Sequence, residues 1–165
     1  MIQYRKSKLD ALNAFIRGIN FAKVSDREVR SALIRLIPAV SRGIRELEED
    51  GKAMFEKFIG PFPEERRIAY DSANRERTEA LEKYRESGSE EDGKAFSELN
   101  RRFGEDFRDL IEAVAGYDGA MKEFMDGTVG LPVEAIGADA FLDALGDQCE
   151  ITADTLAMLE PIVIL

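Results

Sequence analysis

The chain has no histidine and no tryptophan, and it has one cysteine in 165 residues. Without imidazole there is no Ser-His or Cys-His nucleophile pair, no imidazole base and no Glu-x-x-His metal pair of the helical-bundle kind. Carboxylate-only and lysine-based mechanisms survive that filter, but they are a minority. Cys149 has no partner for an internal disulfide, which points to a reducing setting. No histidine or basic cluster lies nearby to lower its pKa, so it reads as a small buried hydrophobe and not as a nucleophile. No apolar run approaches the ~20 residues of a membrane span, and Met1–Lys8 lacks the apolar stretch of a signal peptide. The expected location is the cytoplasm. Neither Gly-x-Gly-x-x-Gly nor Gly-x-x-x-x-Gly-Lys-Ser/Thr occurs, and the EF-hand pattern is missing. These gaps argue against an enzyme and against a cofactor, a metal or a small-molecule substrate.

What is present is charge and helical periodicity. Hydrophobic residues make up 44% and charged residues 34%, a composition that excludes disorder and suits one soluble domain. Residues 1–45 carry ten Lys/Arg against three Asp/Glu, whereas the remainder carries thirteen against thirty. Such asymmetry marks a partner or nucleic-acid surface, or two parts of one chain that attract each other. The attraction within the chain is the preferred reading.

Ser7 to Asp10 reads as a capping box opening a short helix, with Leu9, Leu12, Phe15, Ile16 and Ile19 facing inward. A second helix is expected from Asp26, where Ser25 and Glu28 form a box and Val24 and Val29 a hydrophobic staple. Its apolar stripe runs through Val29, Leu33, Leu36, Ile37, Val40, Ile44 and Leu47 to Phe58, with a kink expected near Ile34 or Arg35 because Pro38 lies inside it. Opposite that stripe lie Arg27, Arg30, Arg35, Arg42 and Arg45, a basic face interrupted by Ile34. These five arginines are the candidate interaction surface; the alternative reading is a face that serves solubility alone.

Gly60–Pro63 breaks the pattern, and residues 64–86 read as a solvated helix leaning on one neighbour, with Ile68, Leu81 and Tyr84 its main apolar residues. Ser87–Gly93 reads as a turn. From Phe96 to Phe124, nine apolar residues recur at steps of three or four, which predicts one seam helix over about Lys94–Met125. Its expected partner is the helix from Asp26, in an antiparallel, coiled-coil-like hairpin. Glu98, Glu105, Asp109 and Glu112 fall on its outer face. A cation site would need oxygen ligands converging from more than one element, so a solvated face is preferred.

After Gly127, Ile136–Phe141 is echoed by Ile151–Leu156. Two strand-plus-helix units are expected: Val133–Ile136 then Ala138–Leu145, and Cys149–Thr152 then Ala153–Leu159. Met1–Tyr4 is a candidate third strand, and the tail Pro161–Leu165 is expected to be buried. The predicted fold is mostly α, a single domain over 1–165. It comprises an elongated antiparallel helical hairpin with a short N-terminal helix over 1–126, and a small C-terminal α/β cap over 127–165.

The order of features, together with Leu9-Asp10-Ala11-Leu12-Asn13, Glu82-Lys83-Tyr84, Asp92-Gly93-Lys94 and Leu159-Glu160-Pro161-Ile162, resembles a family of small phage and prophage proteins catalogued as domain of unknown function 1617. The chain departs from it at Gly60–Pro63 and at Gly116-Tyr117-Asp118-Gly119. The resemblance implies a phage or prophage origin and an accessory role in virion or tail assembly, located in the host cytoplasm or the virion. It transfers no catalytic residue. The expected function is structural or adaptor-like, through a protein partner or self-association. Two alternatives use charge: a nucleic-acid-associated regulator gripping phosphates with the arginine row, and a nucleic-acid mimic built on Asp139, Asp143, Asp147 and Asp154.

Overall fold

The computed structural model describes residues 1–148 and 151–164. The fold is mostly α. In chain order the elements are β1 (Ile2–Arg5), α1 (Leu9–Gly18), α2 (Arg27–Phe58), α3 (Glu64–Ser87), α4 (Glu90–Asp106), α5 (Arg108–Asp126), β2 (Thr128–Leu131), β3 (Ile136–Gly137), α6 (Ala138–Leu145), α7 (Ala153–Leu159) and β4 (Val163–Ile164). They form two compact units, Met1–Gly51 with Lys122–Leu165, and Lys52–Met121. Each unit thus takes part of α2 and part of α5, and residue 127 is not a boundary between them.

The first unit holds the larger core. Leu9, Leu12 and Ile16 recur at helical spacing on α1 and are buried against Val29, Leu33, Leu36 and Val40 of α2. Gly43 extends the α2 stripe because a Cβ there would come within 3.0 Å of the Leu9 side chain. Tyr4 is fully buried, and its hydroxyl donates to the Met158 carbonyl at 2.7 Å. Burial pushes that phenol well above its ordinary pKa. Phe15 stacks on Phe141 of α6 with centroids 6.2 Å apart.

The strands depart from expectation. β1 pairs antiparallel with β2, Ile2 opposite Leu131 and Arg5 opposite Thr128. β3 pairs in parallel with β4 of the tail, Ile136 opposite Val163. The expected strand at Cys149–Thr152 falls partly outside the described residues. Thr152 itself N-caps α7, its hydroxyl accepting the Thr155 amide at 3.2 Å. A residue holding a cap in this way is committed to the helix start. The tail is buried at Ile162 and Val163, whereas Ile164 is half exposed.

In the second unit α3 packs against α4 across a two-residue turn. Gly88 closes α3 in the left-handed region at φ 61°, and Ser89 opens α4 by accepting the Asp92 amide at 3.1 Å. The pairs Lys83–Asp92, Arg77–Asn100 and Tyr70–Phe103 show the antiparallel course, one number rising as the other falls. The hairpin partner of α4 is therefore α3. The end of α2 meets α5, with Phe55 edge-on to Tyr117 and Phe58 against Gly116.

The expected single seam helix is two helices. Phe107 leaves helical geometry at φ −123° and ψ 23°, ending α4. Its ring joins Tyr70 and Phe103 with centroids 5.8 and 5.6 Å away, and this cluster offsets the interrupted backbone ladder. Leu99 and Val114 stay half-buried on the inner side, as the seam requires.

Candidate interaction surface

α2 begins one residue later than the capping box implied. Asp26, not Ser25, caps it, its carboxylate accepting the Glu28 and Val29 amides at 2.8 and 2.9 Å. Ser25 is held elsewhere, its amide donating to the Ala144 carbonyl at 2.9 Å. A carboxylate also suits the positive end of the helix better than a hydroxyl does. The helix then continues through Pro38 as one element.

With Val29, Leu33, Leu36, Val40 and Gly43 buried, the opposite face of α2 is set. Arg27, Arg35, Arg42 and Arg45 are exposed on it. Arg30 differs: its guanidinium donates to the Val24 carbonyl, so it is half-buried and serves the turn before the helix. Among the described residues none of the five makes an ion pair with a carboxylate. The expected attraction between this row and the acidic C-terminal part therefore forms no direct pair among the described residues.

Two isoleucines share the face. Ile34 is 48% and Ile37 41% exposed, and Pro38 beside them is open to solvent. Ile34 was expected there; Ile37 was placed on the buried stripe. At 100° per residue Ile37 lies about 80° from the centre of that stripe. It is a flank position, and only the reach of the neighbouring elements decides whether it is covered.

Arg27 and Arg35 also line an open cleft of about 1010 Å³ between the start of α2 and residues 132–140. Asp26, Glu28 and Glu134 line the same cleft, so its charge is mixed. Arg42 and Arg45 stand outside it. The exposed face of α2, not the cleft, is the coherent basic feature.

The outer carboxylates of α4 and α5 stay apart. Glu98 pairs with Arg101 and Arg102 at 2.9 and 2.7 Å, Glu105 with Arg101 at 2.6 Å, and Asp109 with Arg66 at 2.7 Å. Hydrogen bonds from Arg101 and Arg102 hold the Glu98 carboxyl down at about 2, and Arg66 holds Asp109 below the usual carboxylate range. Neither can exchange protons near neutral pH, as a general acid or base must. Among the described residues no three His, Cys, Asp or Glu side chains come together to hold a metal ion, and no helix is long and apolar enough to cross a membrane. Cys149 lies outside the described residues.

No protein family matches the chain, and neither curated proteins nor solved structures include a significant match to it.

Proposed function

We propose that this chain is a non-enzymatic structural or adaptor protein that works through protein–protein contacts, with the exposed face of α2 as its docking surface. One observation carries the reading: Arg27, Arg35, Arg42 and Arg45 stand without carboxylate partners among the described residues, around exposed Ile34, Ile37 and Pro38. Protein interfaces favour this combination, an apolar centre with arginines at its edge. A nucleic-acid backbone calls instead for uninterrupted cations, and its binding falls steeply with salt. Ile34 and Pro38 among the arginines, with Ile37 on the flank, put apolar surface where a phosphate backbone needs cations. Taken with the resemblance to small phage proteins, the proposed setting is assembly of a virion or tail.

Affinity purification from the native host, with the wild-type chain and with Arg35→Glu, Arg42→Glu and Arg45→Glu combined, tests the reading. A protein recovered by the wild type and lost by the variant is the expected result. An identical set of proteins from both, or salt-sensitive capture of nucleic acid alone, overturns it.

A further inference from the structure

From Val29 to Ile44 there is no acidic residue, and beyond Lys122 there is no Lys or Arg. The first unit thus holds two stretches of opposite sign: the outer face of α2 between Val29 and Arg45, and the C-terminal segment that contains α6. On α6, Asp139 and Asp143 are exposed one turn apart on one face, with Leu142 to one side of them at 36% exposure. This is the electrostatic inverse of the α2 face, a pair of carboxylates one turn apart beside an exposed apolar side chain, in place of guanidiniums. Among the described residues no ion pair joins the two within one chain.

We infer that the occupant of the α2 face is a second copy of this chain, which sets α6 against α2 in a two-fold contact, each copy supplying both halves. The inference rests on the docking role proposed above and names its partner. Because both faces belong to one compact unit, two-fold symmetry makes every Arg-to-Asp contact twice, the economy that makes such dimers the commonest oligomers. Ile34 and Ile37 of one copy meet Leu142 of the other, and Arg42 and Arg45 meet Asp139 and Asp143. A nucleic acid would use only the arginines, and an anionic membrane would find too little apolar surface to enter. The second copy uses charge and apolar centre together.

Light scattering and sedimentation of the full chain over roughly a hundredfold concentration range test this. A dimer is expected, weakened about tenfold or more when salt rises from about 0.05 to 0.5 M. Arg42→Glu with Arg45→Glu, and separately Asp139→Lys with Asp143→Lys, should each be monomeric while keeping the wild-type helical signal. Mixed together the two variants should form a one-to-one heterodimer, because each then presents only one sign to the other. Should a charge reversal impair folding, Arg42→Gln with Arg45→Gln and the wild-type salt series give the same readout.

A chain that stays monomeric throughout overturns the second copy as partner, as does a dimer indifferent to both pairs of substitutions. So does a mixture that fails to associate. If a monomeric chain still captures a different host protein through the arginines, the docking role stands and only this inference falls. Arginine-dependent binding of mixed-sequence DNA, or of phosphatidylserine–phosphatidylcholine vesicles, by a monomeric chain also overturns it.

Discussion

The two units are held by different forces. In the first, aliphatic and aromatic side chains from α1, α2, α6, α7 and the strands share one dry core. In the second, α3 has no buried residue at all, and among the described residues only Ile59, Phe103 and Leu110 of that unit are buried apolar side chains. Arginines take the place of aliphatics there. Arg77 lies over the Phe103 ring at 4.9 Å, Arg67 over Phe55 at 5.7 Å and Arg66 over Phe107 at 5.8 Å. Polar helices can pack when cations spread their flat groups on aromatic faces, but each such contact adds only about 0.5–1 kcal/mol at exposed sites. The second unit should therefore be the easier one to open.

The comparison is most easily broken in the first unit. Phe141→Ala removes a fully buried ring and should cost about 3–5 kcal/mol, seen as an earlier denaturant midpoint. Gly43→Leu should cost about 1–3 kcal/mol, because a side chain there meets Leu9 and Val129, and calorimetry reads the loss. Arg77→Ala should cost about 0.5–1 kcal/mol, with hydrogen-exchange protection falling within residues 52–121 and little elsewhere. An equal loss of protection in both units would show that the two do not differ as argued.

Acid gives the mildest test. Hydrogen bonds from Lys83, Ser87 and Ser89 hold the Asp92 carboxyl far below its ordinary range, and Glu98 and Asp109 are lowered by their arginines. A carboxyl with a depressed folded pKa stabilises above its unfolded value, near 4, and that contribution disappears as pH falls through the folded value. These three groups all lie in the second unit. Its protection should fade first as pH drops below about 4, and Asp92→Asn should flatten that response.

Much of the fold was legible in local chemistry. Gly60–Pro63 ended α2 and opened α3 as read, and the helix of residues 64–86, poor in apolar side chains, has no buried residue. α6 and α7 fall at the expected residues. The failures share a cause. Gly104 weakens the helix before Phe107 but does not by itself place a break there, and the Phe107 ring packs on Tyr70 from another helix. The pairing of β3 with β4, and of β1 with β2, joins segments separated by many residues, where two-residue or four-residue strands carry almost no signal of their own. Of the candidate surface, the five arginines were visible as a row, but the tether of Arg30 to Val24 and the exposure of Ile37 were not.

By itself the sequence determined most of the helical segments, the Gly60–Pro63 break, the lack of histidine, and a row of arginines opposed to an apolar stripe. All of these follow from neighbours within a turn or two. Tertiary structure decided which helix lies on which, which strands pair, and which flank residues of α2 remain in water. Those outcomes depend on contacts between distant segments, where packing energy outweighs local preference.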